Sequence, residues 1–331
     1  MVRYFCAFPF EHLEITSSGH AYLCCVGRLK VPVGNIAKST IRELWNCEAA
    51  KDIRASILDN SFRYCNECRY YKAKFFHVKK DGFNEREAEY LTGKVPPLPR
   101  RVVLSMDRAC QLSCPSCRHG LEASSTGSAD FLQEKVLNDP DIGEVTFLWT
   151  SGAGDPLYSE VHRKMLVQIG ESRFGKVQVG LHTNGLLFQR VWQEISPASR
   201  SRIKRVSVSV DGASKETHEA NRRGSHWNAL ISNLRFLKSL KEEGQLDKLK
   251  LLFIVQQNNW REMSQFVHFA KSMSANRVVF AALGNWGTYT TLEYNKRAVQ
   301  RPEHSEHAAF TEALQAPELK DSIVHQKIMA V

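Results

Sequence analysis

The strongest signal for the fold and chemistry of this protein is the stretch Cys110-Gln111-Leu112-Ser113-Cys114-Pro115-Ser116-Cys117. Its cysteines have C-x3-C-x2-C spacing and follow residues 102–106, which have the composition of a buried strand. Three thiolates so spaced on one loop can hold three irons of a [4Fe–4S] cluster and leave the fourth iron open. A zinc site would need a fourth ligand, for which His119 is available.

Strand-like and helix-like segments alternate from about residue 100 onward. The strand candidates are residues 102–106, 144–149, 177–182, 205–210, 249–255 and 278–283. The clearest helical pattern between them has apolar residues at i, i+3 and i+4 spacing from Trp227 to Leu237. Six such units predict a parallel sheet with right-handed crossovers and fall short of a closed eight-stranded barrel. The predicted fold is therefore α/β, a partial (β/α)6 TIM barrel.

The fourth predicted strand alternates between apolar and polar residues. Its valines, at positions 206, 208 and 210, would pack under helices, whereas Ser207, Ser209 and Asp211 would face the barrel lumen. On the third strand His182 faces the same way, and Gln256 follows the fifth. An exposed sheet face is the simpler alternative, but parallel sheets are usually covered on both faces. The pattern favours a polar substrate cavity.

The sequence before the barrel predicts a small separate domain at residues 1–75. It has a probable hairpin at residues 15–23, around Ser18-Gly19, followed by one helix that includes Ile41 and Ile53. Residues 76–99 read as a linker without regular structure, because prolines stiffen its end. The barrel would occupy residues 100–284, and residues 285–331 would form a C-terminal extension with a helix near 307–314.

Composition and charge narrow the class of protein. The 331 residues are 43% hydrophobic, no apolar run is long enough for a membrane helix, and the N-terminus lacks a signal peptide, so we expect a cytoplasmic protein. The net charge of +10 suits an anionic ligand, but the basic residues are spread along the chain, which disfavours nucleic acid. The nine cysteines should be reduced, which favours metal binding over disulfides.

The cysteine loop resembles the defining motif of the radical S-adenosylmethionine superfamily, over about residues 100–283. The resemblance implies that the open iron binds the amino and carboxylate groups of S-adenosylmethionine. One-electron reduction then releases methionine and a 5′-deoxyadenosyl radical, which abstracts a hydrogen atom from the substrate. The chain departs from the family at Ser116, where an aromatic residue near the adenine is usual.

Further motifs of that family follow in the same order along the chain. Gly152-Ala153-Gly154-Asp155-Pro156 is similar to the glycine-rich segment that receives the methionine amino group, and glycine lets backbone approach a ligand closely. Arg222 resembles the arginine that pairs with the methionine carboxylate, with Arg223 as the alternate. The S-adenosylmethionine contacts implied by the resemblance are Gly152, Ala153, Gly154, Asp155, Pro156, Asn184, Ser209 and Arg222.

The N-terminal cysteines are similar to those of the SPASM/Twitch module, which holds an auxiliary [4Fe–4S] cluster. The implied ligands are Cys6, Cys24, Cys65 and Cys68, with Gly19 between the first two. Cys25 is the alternative to Cys24, and a structural zinc at the same thiolates is the alternative to a cluster. The module usually follows the barrel, whereas here it precedes it. Full cysteine ligation leaves no open iron, which fits an electron-transfer or structural role.

The remaining candidates concern catalysis. His182 and Asp211 are the catalytic candidates because both face the predicted lumen, and a satisfied core histidine is the simpler interpretation of His182. Cys47 lies on a predicted helix, where a buried thiol acting as a small hydrophobe is the simpler interpretation. In the alternative, catalytic interpretation, the thiol of Cys25 or Cys47 would return a hydrogen atom to a substrate radical, as an epimerase requires.

Together these features predict a radical S-adenosylmethionine enzyme with two [4Fe–4S] clusters and a flavodoxin- or ferredoxin-type electron donor. The expected substrate is a small polar molecule, such as a sugar or aminocyclitol, that is dehydrogenated or epimerised. The auxiliary cluster would accept an electron, relay electrons or brace the domain. The alternative is a peptide-modifying enzyme, which a short auxiliary module and the lack of an evident leader-peptide-binding domain disfavour. A non-catalytic, zinc-stabilised interaction protein is the alternative from another class.

Overall fold

A computed structural model of the chain describes residues 4–66, 68, 71, 78–124, 127–150 and 154–328. The chain forms two compact units. The first comprises Met1–Asp107, Ser125–Ala153 and Lys164–Val179. The second comprises Arg108–Ser124, Gly154–Arg163 and Gly180–Val331. The N-terminal cysteines therefore belong to the first unit and the C-x3-C-x2-C loop to the second.

The strands confirm the predicted α/β class. Within the described residues they are β1 (Phe5–Cys6), β2 (His12–Thr16), β3 (His20–Tyr22), β4 (Gly34–Asn35), β5 (Val78–Lys79), β6 (Arg101–Ser105), β7 (Phe147–Thr150), β8 (Gln178–Thr183), β9 (Ile203–Ser209), β10 (Lys248–Val255), β11 (Arg277–Ala282) and β12 (Val324–Lys327). Strands β6 to β11 are the six predicted from the sequence, with ends shifted by no more than three residues. The pairs β6–β7, β9–β10 and β10–β11 are parallel, as the alternation with helices predicts.

Helices separate most of these strands. They are α1 (Phe8–Glu11), α2 (Ile41–Asn46), α3 (Glu48–Leu58), α4 (Glu85–Leu91), α5 (Ser128–Leu137), α6 (Glu160–Gln168), α7 (Phe188–Glu194), α8 (Pro197–Arg202), α9 (Lys215–Asn221), α10 (Trp227–Glu242), α11 (Met263–Ser272), α12 (Thr291–Arg297) and α13 (His307–Ala313). Helix α10 buries Leu230, Leu234 and Leu237, the face that its sequence period predicts. No helix among the described residues is long and apolar enough to cross a membrane.

In the first unit the strand order is β7-β6-β2-β3-β4. The predicted hairpin is present, because β2 and β3 pair antiparallel around a turn at Gly19, whose φ is +78°. A side chain at Gly19 would lie 2.5 Å from Asn35 Oδ1, so glycine is required there for space as well as conformation. Strand β2 also pairs in parallel with β6, which the sequence did not reveal. The N-terminal segment thus adds a strand beside the first predicted barrel strand.

Two local predictions in the first unit are wrong. The single predicted helix containing Ile41 and Ile53 is two helices, because Cys47 adopts an extended backbone between α2 and α3. The predicted linker contains α4, which begins with a capping box between Asn84 and Glu87. The prolines that suggested irregular structure come after this helix, so they do not interrupt it.

In the second unit the strand order is β12-β11-β10-β9-β8. Both faces of β9 are covered: Val206, Val208 and Val210 are buried, and so are Ser207 and Ser209. The predicted helix near residues 307–314 is present as α13. After it, β12 pairs in parallel with β11, so the predicted C-terminal extension returns to the sheet.

Candidate metal centres

The C-x3-C-x2-C loop is closed by contacts at its base. The backbone N–H of Cys110 donates to the carbonyl oxygen of Glu122 at 2.9 Å. Arg108 donates to the Glu122 carboxylate through Nε at 2.8 Å and Nη2 at 2.9 Å. Within the loop, the Cys117 N–H donates to the Cys114 carbonyl at 2.9 Å, which makes a tight turn. These contacts hold the three thiols on one short, closed segment.

Each of the three sulfurs has a side-chain nitrogen donor nearby. The pairs are Asn184 Nδ2 to Cys110 Sγ at 3.9 Å, Arg222 Nη1 to Cys114 Sγ at 3.7 Å and Arg118 Nη2 to Cys117 Sγ at 3.7 Å. Burial raises the pKa of Cys110 to about 11, so the isolated thiol is protonated at neutral pH. Iron binding would displace that proton, and the N–H donors would stabilise the thiolates. The donor set therefore fits an iron–sulfur cluster.

Asp155, from the glycine-rich segment, is buried and ties two parts of the second unit together. Its Oδ2 accepts hydrogen bonds from the Asn184 N–H at 2.6 Å and from Thr183 Oγ1 at 2.8 Å. Its own N–H donates to the Ala109 carbonyl at 2.8 Å. Burial raises the pKa of the Asp155 carboxyl, although these hydrogen bonds oppose the shift. Asp155 thus positions Asn184 beside Cys110, and the adjacent Pro156 is buried as well.

Gly154 approaches the cysteine loop so closely that no side chain fits. A Cβ at this position would lie 2.3 Å from the Ala109 carbonyl oxygen and 2.7 Å from the Arg108 carbonyl carbon, both backbone atoms. The other members of the predicted segment, Gly152 and Ala153, lie outside the described residues. Among the described members, Gly154 and Asp155 contact the backbone just before Cys110, so the segment supports the cysteine loop.

We expect Gly154→Ala to displace the cysteine loop and cost about 1–3 kcal/mol of the free energy of unfolding, because the backbone atoms it meets cannot move aside alone. Iron bound per chain and the midpoint of thermal unfolding measure both effects. Gly120→Ala is the matched control, because a Cβ there meets nothing within 4 Å. Equal iron content and equal stability in the two variants would contradict the close approach of Gly154.

The Arg222 side chain contacts Asp211 on one side and Cys114 of the cysteine loop on the other. Its Nε lies 2.9 Å from Asp211 Oδ2, in an ion pair whose geometry is not that of an aligned hydrogen bond. Burial opposes the Arg222 charge, but Asp211 and Cys114 outweigh it and raise its pKa. The alternate, Arg223, is placed differently, and its carbonyl accepts from the Ser113 N–H at 3.0 Å. The geometry therefore favours Arg222 as the arginine of the site.

The two catalytic candidates have different surroundings. Asp211 has a φ of +62°, is buried, and accepts from the Ile254 N–H at 2.6 Å while pairing with Arg222. These contacts suit a positioning residue. The Nε2 of His182 forms a hydrogen bond with Ser209 Oγ at 2.9 Å. Burial, together with the charges of Lys250 and Arg222, lowers the pKa of His182 to about 3, so this imidazole is neutral at neutral pH.

The four predicted auxiliary ligands surround one cavity in the first unit. Its lining comprises Cys6, Pro9, Cys24, Arg28, Leu29, Phe62, Cys65, Cys68 and Tyr71. Burial raises the pKa of Cys6 to about 12 and that of Cys65 to about 11. Buried thiols such as those of Cys6 and Cys65 would be ionised only with compensating positive charge, which iron supplies. The cavity thus fits the four-thiolate cluster implied by the SPASM/Twitch resemblance.

Cys25 and Cys47 lie apart from that lining. A hydrogen bond from Cys24 lowers the pKa of Cys25 to about 6, and the same contact helps to raise the pKa of Cys24. Cys47 donates from Sγ to the Val33 carbonyl at 3.1 Å, at the junction of α2 and α3. Of the two adjacent cysteines, the geometry favours Cys24 as the cluster ligand, and it gives Cys47 a local structural contact.

Sequence reasoning missed several residues that support these sites. Arg118 is buried, donates to the Arg108 carbonyl at 2.7 Å and reaches Cys117. Gln111 exchanges hydrogen bonds with the Asn184 amide at 3.1 and 3.2 Å. Arg28 lines the four-cysteine cavity. Their one sequence signal is proximity to the cysteines, because Arg118 follows Cys117 directly and Gln111 follows Cys110.

Comparison with known proteins identifies one domain by sequence. Residues 6–69 match the family model described as SPASM, an iron–sulfur cluster-binding domain. The match confirms the predicted iron–sulfur domain, and its range contains all four cysteines of the first-unit cavity, whose role as ligands stays a prediction. No curated protein sequence matches the chain.

Several solved structures have a similar fold. Streptococcus suis SuiB bound to S-adenosylmethionine is 13% identical, over 84% of this chain and 62% of that one, with a TM-score of 0.48. The protein anSMEcpe with bound AdoMet and a peptide is 19% identical, over 58% and 55%, with a TM-score of 0.40. TYW1 with a lysine-pyruvate adduct is 14% identical, over 62% and 69%, also at 0.40. These identities and TM-scores do not distinguish one activity from another.

Two sets of cysteines define what this chain is similar to. The three-cysteine loop follows the first strand of the predicted partial barrel, and the described motif residues collect around it in the second unit. The SPASM domain supplies a second set of cysteines, in the first unit. The chain therefore carries a SPASM iron–sulfur cluster-binding domain at residues 6–69, and its three-cysteine loop resembles the defining motif of the radical S-adenosylmethionine superfamily.

Proposed function

We propose that this chain uses Cys110, Cys114 and Cys117 to hold a cluster that cleaves S-adenosylmethionine reductively. The observation that carries the proposal is the set of three thiols on one closed loop, each with an N–H donor near its sulfur. A [4Fe–4S] cluster with S-adenosylmethionine supplies one-electron cleavage of the sulfonium and a 5′-deoxyadenosyl radical that removes a hydrogen atom from the substrate.

The residues around the loop have distinct roles in this proposal. Arg222 binds the methionine carboxylate, since a guanidinium offers paired donors to a carboxylate, and Asp211 fixes its orientation through Nε. Asn184 and Asp155 hold the end of β8 against Cys110. Asp211 is buried and the Arg222 side chain is only 15% exposed, so little water reaches the ion pair, which strengthens it.

For the substrate we propose a small polar molecule, such as a sugar or aminocyclitol. His182, neutral and hydrogen-bonded to Ser209, offers donors and acceptors without a charge. Gln256 follows β10, and its Oε1 is buried without a hydrogen-bond partner among the described residues, so it is available to a ligand hydroxyl. A peptide substrate is the alternative; SuiB and anSMEcpe have each been solved with a bound peptide.

We further propose that residues 1–75 act as the auxiliary module and residues 100–284 as the catalytic part. The four cysteines of the module would hold a second cluster, which supplies an acceptor for one electron from the substrate radical, a relay or a structural brace. A flavodoxin- or ferredoxin-type protein would provide the reducing electron. The chain spans 62% of the length of SuiB.

Deuterium transfer tests the substrate class. Reduced enzyme is incubated with S-adenosylmethionine and either a carbon-deuterated aminocyclitol or sugar, or a carbon-deuterated peptide, and the mass of the 5′-deoxyadenosine is measured. We expect a gain of one mass unit with the small molecule. Unlabelled substrate in deuterated water is the control, because exchange from solvent would add mass without abstraction. Mass gain with the peptide alone would overturn the small-molecule proposal and support peptide modification.

A further inference from the structure

A second group of metal-binding side chains lies in the first unit, outside the lining of the four-cysteine cavity. One ligand atom each from His12, Glu14 and Cys25 lies within 4.8 Å of the other two. His12 is 5% exposed and Glu14 is 8% exposed, whereas Cys25 is half-buried. Three side chains of different donor chemistry rarely converge in a protein interior without a partner, since each is costly to bury alone.

The fold builds this group from strand geometry. His12 and Glu14 are two residues apart on β2, so their side chains emerge on the same face. On the adjacent parallel strand β6, Ser105 Oγ donates to Glu14 Oε1 at 2.8 Å, which leaves Oε2 directed toward His12 Nε2 at 3.8 Å. Cys25 comes from the turn after β3, the antiparallel partner of β2. Two of the three donors thus come from β2 and the third from the segment after β3, while Ser105 on β6 orients Glu14.

The hydrogen-bonding capacity of the His12 imidazole is not satisfied within the described residues. Both ring nitrogens are buried and neither has a hydrogen-bond partner among the described residues. The ring packs beside Phe8, with ring centroids 5.0 Å apart, and a phenyl ring offers no acceptor for an N–H. A buried imidazole with two unsatisfied nitrogens is destabilising, and a metal bond to one of them would remove much of that cost.

We propose that His12, Glu14 and Cys25 bind one divalent transition-metal ion of the zinc class, separate from the iron–sulfur sites. A sulfur, an imidazole nitrogen and a carboxylate oxygen suit zinc rather than magnesium or calcium. In a tetrahedral zinc site the ligand atoms are about 3.3–3.8 Å apart, which a small side-chain rotation reaches from the observed separations. The thiolate and carboxylate balance the two positive charges, and the thiol proton leaves to solvent.

Three protein ligands leave the fourth tetrahedral position for water or for a ligand atom. Ser105 acts on the metal through Glu14, because its hydrogen bond fixes which carboxylate oxygen faces His12. The site requires neither S-adenosylmethionine nor turnover, so its test is independent of the proposed reaction.

The test uses anaerobically reconstituted full-length protein, incubated with one equivalent of Zn²⁺ and desalted. Zinc and iron per chain are counted, and zinc-edge X-ray absorption reports the ligand shell. We expect about one zinc per chain, with one sulfur at about 2.3 Å and nitrogen or oxygen at about 2.0 Å. His12→Gln and Cys25→Ser should lose most of the zinc and keep the iron. His20→Gln and Cys47→Ser, which change an exposed imidazole and a thiol elsewhere in the unit, should keep both metals.

Ser105→Ala keeps all three proposed ligands, so it tests the site even if the ligand variants fail to fold. We expect its zinc affinity to fall about 10–100-fold, with the iron content unchanged. The proposal is overturned if wild-type protein binds no zinc, if the zinc shell is all sulfur, or if folded His12→Gln and Cys25→Ser proteins retain zinc. An all-sulfur shell would place the zinc in the four-cysteine cavity instead.

Discussion

Replacing Cys114 with alanine is expected to abolish 5′-deoxyadenosine formation. Cys114 is the middle cysteine of the loop, and its sulfur lies 3.7 Å from Arg222 Nη1, so its loss removes a proposed cluster ligand and one contact of the arginine. Iron should fall by about four per chain, because two remaining thiolates do not hold the cluster. The measurement is deoxyadenosine by liquid chromatography after addition of reductant and S-adenosylmethionine, with iron counted on the same sample.

Cys47→Ala is the matched control for that variant. Cys47 lies in the first unit at a helix junction, and its thiol donates to the backbone carbonyls of Val33 and Leu44. We expect this variant to keep its iron and its deoxyadenosine yield. A Cys114→Ala protein that still cleaves S-adenosylmethionine would show that the catalytic cluster has been assigned to the wrong cysteines.

Replacing Cys65 with alanine is expected to separate cleavage from product formation. Cys65 lines the four-cysteine cavity in the first unit, whereas the residues proposed for S-adenosylmethionine lie in the second. Iron should fall by about four per chain and deoxyadenosine should still form, but the oxidised product should disappear. Iron analysis, deoxyadenosine yield and mass spectrometry of the substrate measure the three outcomes.

The adjacent pair of cysteines provides the control for this site. Cys24→Ala should lose the same four irons as Cys65→Ala, whereas Cys25→Ala should keep them, because only Cys24 lines the cavity. If Cys25→Ala lost the four irons and Cys24→Ala kept them, Cys25 would be the ligand instead of Cys24. Full iron content in the Cys65 variant would exclude the four-thiolate assignment altogether.

Much of the fold could be read from local patterns. Strands β6 to β11 were predictable because each is a short apolar or alternating segment bounded by polar residues, and helix α10 has a regular apolar face. The three-cysteine loop could be recognised for a similar reason, because C-x3-C-x2-C spacing is a local property of one segment. The four N-terminal cysteines come from separate segments, and only the family resemblance grouped them.

The parts that sequence reasoning missed depend on long-range pairing. The parallel pairing of β2 with β6 joins residues about ninety positions apart, and the pairing of β11 with β12 joins the C-terminal segment to the sheet. Neither β2 nor β12 has a sequence pattern from which the strand it pairs with could be identified. Helix α4 was missed because the prolines after it outweighed the capping box at Asn84.

The same limit applies to individual site residues. Asp155 was expected to contact S-adenosylmethionine through the family resemblance, but its carboxylate accepts hydrogen bonds from the end of β8, a relationship that only the assembled fold shows. The His12, Glu14 and Cys25 group was invisible for the same reason. Its members have no motif spacing, and the β2–β3 hairpin brings them together.

The most direct test of the central claim is cleavage of S-adenosylmethionine by the wild-type chain. Protein is purified without oxygen, reconstituted with iron and sulfide, and mixed with reductant and S-adenosylmethionine. We predict 5′-deoxyadenosine together with about eight irons per chain, four for each cysteine site. No deoxyadenosine, with zinc in place of iron at both cysteine sites, would contradict the account and identify these cysteines as structural zinc ligands.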